Sequence, residues 1–402
     1  MSKRLPMTVI LFTVVVESMG IGLIFPVVPD LLREVMGSDL SEAAIWGGIL
    51  ISAFAAMQFL FGPVVGALSD AFGRRPVLLI SLAVMVVNYT IMALAGSVWM
   101  LLVGRMIGGI AAATHATAMA YIADISRDTE KSANFGLFHA AFGAGFIVGP
   151  LLGGLLGDLG TRAPFWVAAA IAACNLVFVA VFLRETVTET LRRPFRWSRA
   201  NPFGALRNLG RLPGMGALIG VYLLYHVATE VYPVIWAYFT QARFEWDVRL
   251  VGVSLAFYGL AHVAVQAGLI RPALRHLGES RTVIAGFAWD IGIYGLLVII
   301  TNGALALLLT PLAAVGGVTV PALQGVLSKS VPDNAQGELQ GVLSSVTALA
   351  MILSPLAYTG VFRAFTADAA PVFLPGAPFA LSVLLVIPAI LLYLRARPRT
   401  AT

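Results

Sequence analysis

The chain has 402 residues, of which 59% are hydrophobic and 11% charged, with a formal net charge of +6 and a mean hydropathy of +0.90. Soluble domains carry about 25% charged and about 45 to 50% apolar residues, so a soluble globular protein is excluded and the class is integral membrane protein. A hydrocarbon core of about 30 Å takes roughly 20 apolar residues per helix. The length therefore has room for about a dozen spans, which excludes a single-pass receptor or an enzyme on one anchor. A β-barrel would show segments of about 10 residues with alternating polarity, whereas the apolar runs here are far longer.

Apolar runs predict helices at 8–31, 44–68, 76–96, 98–123, 135–157 and 164–184, then at 214–240, 249–271, 281–301, 303–328, 338–364 and 373–394. The expected organisation is an N-terminal six-helix half over 1–184, a cytoplasmic basic linker over 185–213 and a C-terminal six-helix half over 214–402. The first run lacks a small-residue cleavage site and leads straight into further spans, so it reads as a retained helix and not a leader. Cys174 is the only cysteine, which leaves no intramolecular disulfide or cysteine cluster.

Of the 26 Lys and Arg residues, 20 fall on one side of such a bundle, 5 on the other, and Arg105 lies within a span. Cytoplasmic loops accumulate positive charge, so both termini and the 185–213 loop are expected on the cytoplasmic side. The basic excess then reads as an orientation signal, with no nucleic acid partner expected. The halves also resemble each other. One constant offset pairs Gly73 with Gly278, Asp128 with Asp333, Gly136 with Gly341 and Pro150 with Pro355. Parallel six-helix repeats place a substrate site near the bilayer midplane, with alternating access by rocking.

Between the second and third spans stands Gly66-Ala-Leu-Ser-Asp70-Ala-Phe-Gly73-Arg74-Arg75-Pro76. Its glycines permit a tight turn, and Asp70 can pair with the arginines across helix ends, a candidate cytoplasmic gate. In the second half Arg275 and Glu279 take the places of Asp70 and Arg74 with charges reversed. In the fifth span Gly145, Gly149, Gly153 and Gly157 recur every four residues, with Pro150 and Gly154 alongside. Small residues on one face admit a close neighbour and proline bends the span, so this helix reads as a packing element and a candidate pivot.

The loop motif and Gly149-Pro150-Leu-Leu-Gly153-Gly154 resemble signatures of the major facilitator superfamily, the second being typical of its drug/proton antiporters. Glu17-Ser-Met-Gly-Ile-Gly-Leu-Ile-Phe-Pro26-Val-Val-Pro29, Tyr121-Ile-Ala-Asp124-Ile, His262 with Gln266, and Pro321-Ala-Leu-Gln324 are similar to the bacterial tetracycline/proton antiporters. The resemblance implies an all-α membrane protein with twelve transmembrane helices in the major facilitator fold. It further implies a proton-coupled exporter of amphipathic drugs in the bacterial inner membrane, with a tetracycline-magnesium chelate as substrate. No cofactor is expected beyond magnesium carried with the substrate, and the expected state is a monomer in the bilayer.

A charge at a helix centre costs about 2.5 to 3.5 kcal/mol even on insertion scales, so each buried one is a functional candidate. Glu17 and Asp290 lie at the same depth in spans 1 and 9, roughly 13 Å from the cytoplasmic face at about 1.5 Å per residue. Two acids at one depth on opposite halves suit proton coupling, and both match embedded acids of the antiporters, although the family usually has Asp where this chain has Glu17. Arg105, in Gly104-Arg105-Met-Ile-Gly108, matches a family position that faces an acid on span 3. This chain has Asn88 there. Either Arg105 pairs with another acid, or Asn88 serves as a neutral partner to substrate.

His226 and Glu230 stand four apart on span 7, on one helical face, and His262 and Gln266 repeat that spacing on span 8. With Gln58, which the resemblance places in the cavity, they complete the candidate substrate residues. His115 and His139 read as packing or local hydrogen bonding. No HExxH, Walker or comparable ligand set occurs, so an intrinsic metal site, ATP hydrolysis and enzymatic catalysis are not expected. A transporter of another drug or metabolite keeps the same fold as the alternative reading. A membrane sensor, the alternative from another class, would call for long soluble domains.

Overall fold

The computed structural model describes residues 4–112, 114–127, 129–187, 214–332 and 335–396, with 192, 194, 195, 197, 201, 202 and 204 between the third and fourth stretches. Most of the basic linker lies outside the described residues, as do Asp128, Asp333, Lys3, Arg397 and Arg399. Among the described residues there is no strand.

The first run does not continue to residue 31 as one helix. Helix α1 covers Arg4–Ile24, and after a turn an amphipathic α2 covers Val28–Met36. Pro26 and Pro29 supply no N–H to continue the ladder, so the chain turns at 25–27 and restarts with Pro29 near the head of α2. Then come α3 Leu40–Phe72, α4 Arg74–Leu94, α5 Val98–Ala111, α6 Thr114–Ile125, α7 Lys131–Gly157 and α8 Ala163–Phe182.

In the C-terminal stretch span 7 is divided into α9 Gly216–Thr229 and α10 Val231–Phe244. Pro233 has no N–H for Thr229, and its ring crowds that carbonyl, which accounts for the break at Glu230. Spans 8 and 9 form one apolar run, Val248–Ile299, made of α11 Val248–Ala264, a π-helical turn Val265–Leu269 and α12 Ile270–Ile299. Gly278 interrupts α12 with φ 73° and ψ 167°, so the run folds as two spans. Counted this way, the eleven long apolar runs among the described residues comprise twelve crossings. Span 10 contains α13 Gly303–Ala313, a 3-10 turn Ala314–Val318 and α14 Thr319–Lys329. Helices α15 Gln336–Ala364 and α16 Ala377–Ala396 complete the chain.

The chain forms two compact units. One comprises Met1–Ser38, Ala53–Pro202 and Val248–Val253, and the other Asp39–Ser52, Phe203–Asp247 and Ser254–Thr402. In the first, the glycine ladder of α7 lies directly on α1. A Cβ at Gly145, Gly149 or Gly153 would run into the backbone carbonyls of Val15, Met19 and Leu23 in turn. The other face of the same helix carries Gly154, where a Cβ would lie 2.9 Å from the Val248 carbonyl oxygen and 3.1 Å from Gly252 Cα. Helix α1 and the segment Val248–Val253, both of this unit, thus meet α7 at backbone distance, the arrangement that small residues permit where no hydrophobic effect drives helices together.

The second unit centres on α9, α12, α14, α15 and α16, whose Tyr225, Phe287, Leu323, Val342 and Tyr393 are buried in one apolar cluster. Large apolar side chains remain exposed on the helices, among them Ile80, Val177, Val181, Leu308 and Leu384. In a membrane span that exposure faces acyl chains and is expected.

Candidate functional site

At the head of α4 the sequence motif becomes an ion-pair network. Gly73 enters the helix at φ 108°, a conformation that favours glycine, and a Cβ there would collide with the Glu185 carboxylate. Arg74 pairs with Asp70 at 2.6 Å and Asp124 at 3.2 Å and donates to Ser69 Oγ at 2.9 Å. Arg75 turns away and donates to the Ala180 carbonyl at 2.7 Å.

Glu185 accepts backbone N–H bonds from Arg74 at 2.9 Å, Arg75 at 3.1 Å, and Thr186 and Val187 at 2.9 Å each. Partial burial by itself would raise its carboxyl, but these four donors outweigh it and hold the group below the ordinary carboxylate value. The position is the N-terminus of a helix, where free N–H groups favour an anion. Gly66 sits within α3 with open space around it. The second half repeats the geometry with signs exchanged. Glu279, just after Gly278, pairs with Lys329 at 2.7 Å, while Arg275 is exposed. Arg74–Asp124 and Glu279–Lys329 stand at the same offset as the paired glycines, so the link between the third and fourth spans of each half recurs with reversed polarity.

At the other end of α4, Arg162 donates to the carbonyls of Ala93 at 3.0 Å and Ala95 at 2.7 Å and pairs with Glu34 of α2. Thr161 also donates to Glu34 and, ahead of Arg162, holds its carboxyl below the ordinary value.

Inside the first unit, Glu17 is 8% exposed and its Oε1 has no hydrogen-bond partner among the described residues. It lines a small crevice with Gly20, Met85, Tyr89 and Ala168. A Cβ at Gly20 would run into the Tyr89 hydroxyl, so glycine is what admits the tyrosine beside α1. Asn88 is 1% exposed and packs on Gly104 and Gly108, where added Cβ atoms would lie 3.5 Å from its Oδ1 and 2.9 Å from its Nδ2. The Arg105 guanidinium lies over the Phe54 ring at 4.4 Å. No ion pair to Arg105 occurs among the described residues, so of the two expected arrangements the pairing with another acid is absent there. Gln58 reaches the Ala112 carbonyl at 3.4 Å. His115 packs edge-on to Phe138 and Phe142, and His139 packs edge-on to Phe138.

Inside the second unit the candidates gather where helices are irregular. Asp290 is 2% exposed and accepts a 2.6 Å hydrogen bond from the Tyr225 hydroxyl, which also lies 3.1 Å from the Gly316 carbonyl oxygen. Gly316 and Gly317 belong to the 3-10 turn of span 10. A Cβ at Gly316 would collide with Asp290 Oδ1, and one at Gly317 would lie 2.9 Å from the His262 ring. Gln266, on the π-helical turn of span 8, reaches His262 Nε2 at 3.3 Å and the Gly317 carbonyl at 3.4 Å. Helical turns of the π type concentrate at functional positions. His262, Tyr258, Tyr232 and Trp236 stack in sequence at ring separations of 5.9, 4.9 and 4.8 Å.

Glu230 occupies the break between α9 and α10. One turn before it, the His226 ring packs tilted against Tyr222 at 4.3 Å and leaves Nε2 without a partner among the described residues. Tyr222 in turn accepts from Gln324 at 3.1 Å. The structure thus brings Asp290, His262 and Gln266 to one pair of facing turns, with His226 and Glu230 on span 7. Sequence reasoning missed Tyr225, Glu185 and Lys329. Glu185 left one signal, an acid among the arginines that follow span 6.

Among the described residues, twelve apolar spans with the carboxyl groups of Glu17 and Asp290 buried inside them define a polytopic α-helical membrane protein of transporter architecture. The chain belongs to the Major Facilitator Superfamily, whose family model matches residues 10–355. It is 41% identical to the class C tetracycline resistance protein of Escherichia coli over 364 residues, 90% of this chain and 91% of that one. It is 40% identical to the class G tetracycline resistance protein of Vibrio anguillarum, covering 88% of this chain and 89% of the relative. Among solved structures, the nucleoside transporter NupG superposes with a TM-score of 0.81 at 13% identity, over 98% of this chain and 99% of that one, a likeness of fold alone.

Proposed function

We propose that this protein is a proton-coupled tetracycline exporter of a bacterial inner membrane, with both termini in the cytoplasm, working by alternating access between two six-helix halves. The observation that carries the reading is Asp290. It is a carboxyl group buried within α12 beside Tyr225 and against the 3-10 turn of span 10, in a chain about 40% identical to tetracycline resistance proteins over nearly its whole length. A proton taken up at Asp290, with Glu17 as the second acid, neutralises a charge that hydrocarbon disfavours, and release of that proton on the other side returns it. One charge crossing 100 mV supplies about 2.3 kcal/mol, enough to drive substrate outward. Gln58, Asn88, His226, Glu230, His262 and Gln266 supply polar contacts to the substrate, with magnesium carried as part of it. Asp70, Gly73, Arg74 and Arg75 form the cytoplasmic gate, and the α7 glycines with Pro150 form the pivot.

The test uses everted membrane vesicles carrying a proton gradient, to which magnesium and tetracycline are added. The native protein is expected to release protons in response, and Asp290→Asn to abolish that response. No response in the native protein refutes tetracycline/proton antiport. A response to a different drug added in place of tetracycline supports a second reading, an exporter of that drug, which Asn88 at the position expected to be acidic favours.

A further inference from the structure

We propose that Tyr225 is a positioning residue that reads the protonation state of Asp290 and transmits it to the 3-10 turn of span 10. The inference rests on the reading of Asp290 as the proton-accepting group and adds the element that responds to it. The Tyr225 hydroxyl has one hydrogen and two acceptors in reach, Asp290 Oδ2 at 2.6 Å and the Gly316 carbonyl at 3.1 Å. When Asp290 is ionised it can only accept, and the shorter, charge-assisted bond takes the tyrosine hydrogen. The Gly316 carbonyl then goes without it. When a proton from water binds Asp290, the new carboxylic O–H can donate to the tyrosine oxygen. The tyrosine keeps its own hydrogen, which turns to Gly316. Uptake of one proton thus inverts one hydrogen bond and creates another on the turn, with no proton leaving Tyr225.

The turn is built to register that change. A Cβ at Gly316 would collide with Asp290 Oδ1, so the backbone of span 10 lies directly against the carboxyl group. The adjacent Gly317 carbonyl is held by Gln266 from the π-helical turn of span 8, so a shift at 314–318 reaches a second irregular turn. The groups facing Asp290 suit a neutral relay. Tyr225, Tyr232, Tyr258 and Tyr294 feel its charge, Thr319 is a further hydroxyl beside Tyr225, and Tyr393 of α16 packs on Phe287, three residues earlier on α12. His262 stands at Gly317, Glu230 interacts with Tyr258 and Tyr358, and Glu279 is paired with Lys329.

The test is infrared difference spectroscopy of the purified full-length protein in liposomes, titrated between acid and alkaline pH without drug. Asp290→Asn identifies the protonated carboxyl band of Asp290. In Tyr225→Phe that band is expected to persist but move to the frequency of a carboxyl lacking its hydrogen-bond acceptor, and the amide band change that accompanies titration in the native protein is expected to fall at least threefold. In parallel, the variant's tetracycline affinity should lose most of its pH dependence while remaining within about threefold of native at its optimum. An unchanged carboxyl frequency and amide change in Tyr225→Phe overturns the relay. So does a drug-affinity pH profile superimposable on native. Because the spectra are taken without drug, they judge the relay even if tetracycline proves not to be the substrate. Gly316→Ala, which crowds Asp290 from the other side, is the second variant and should also suppress the amide change.

Discussion

Removing the Glu185 carboxylate tests whether the α4 terminus is held from a distant position in the sequence. In Glu185→Gln the side chain keeps its size but loses its charge, and with it the charge-assisted character of four backbone N–H bonds, two of them at the first residues of α4. Glutamine keeps one acceptor oxygen but sets an NH2 where Oε2 accepts from the Arg75 N–H, and a lost cap acceptor costs about 1 kcal/mol, while an anion at a helix N-terminus adds about 0.3 to 1 kcal/mol. The group is exposed to solvent, so the upper part of that range is screened away. About 1 to 1.5 kcal/mol remains, which corresponds to roughly 5- to 12-fold faster opening at the start of α4. Amide hydrogen exchange measured by mass spectrometry on a peptide spanning residues 73–80 reads this directly. The pH dependence has a definite sign. The folded-state value is lowered, so the stabilisation is present above the ordinary carboxylate range and disappears as pH falls through the lowered value. The exchange difference between native and variant should therefore be full at neutral pH and vanish in acid. Equal exchange at neutral pH, or a difference that grows on acidification, refutes the capping role.

The other predictions concern packing and charge. Gly149→Ala sets a methyl 2.5 Å from the Met19 carbonyl oxygen and 2.9 Å from Gly22 Cα, both backbone atoms that give way poorly. It should cost about 1 to 3 kcal/mol, seen as a lower thermal unfolding midpoint in detergent. Gly360→Ala, with open space around it inside α15, should gain about 0.5 to 1 kcal/mol, and a loss there would undermine the distinction. For the reversed ion pair, Lys329 is largely exposed, so Lys329→Ala should change stability by less than about 1 kcal/mol. Glu279→Lys should impair transport by setting like charges together, and the exchanged pair with Lys329→Glu should restore it. Failure of the exchange to rescue would mean that polarity, and not pairing, matters at this turn.

What the sequence made legible was governed by polarity and by glycine. The twelve crossings followed from apolar run length, and the turns at Gly73 and Gly278 from glycines flanked by charge. The α7 ladder followed from its four-residue spacing, because backbone contact needs small residues wherever it occurs. The breaks within spans were less legible. Pro233 marks the one at Glu230, but the 3-10 turn at 314–318 lies inside an uninterrupted apolar run. The π-helical turn at 265–269 leaves no compositional mark either. Tyr225 escaped for a related reason. Beside His226 it reads as one more aromatic residue, and only the packing of α9 against α12 turns its hydroxyl toward Asp290. Likewise Glu185 is remote from Arg74 in sequence, and its role exists only once α8 returns the chain to the start of α4.

In the second half the first and fourth spans are interrupted, α9 with α10 at Glu230 and α13 with α14 across the 3-10 turn, and the second span ends in the π-helical turn. In hydrocarbon an unpaired backbone group costs several kcal/mol, so an interruption persists only where side chains cover what it frees. At the Glu230 break Tyr358 donates to the Val227 carbonyl at 2.9 Å with the Ala228 carbonyl 3.3 Å away, while Ser382 donates to Ala228 at 3.0 Å. The two hydroxyls also lie 2.9 Å apart. Each is placed to compensate for the other at Ala228, so their effects should not add. Ser382→Ala should cost about 1 kcal/mol, because Tyr358 still reaches Ala228, and Tyr358→Phe about 1 to 3 kcal/mol, because Val227 is left bare. The double variant leaves both carbonyls bare and should exceed the sum by at least about 0.5 kcal/mol, within the range of coupling between residues that share a network. Thermal unfolding of the four proteins in one detergent gives the cycle. Strict additivity would mean that water covers the break as well as the side chains do, and that the polar residues at these interruptions are free to serve the substrate alone.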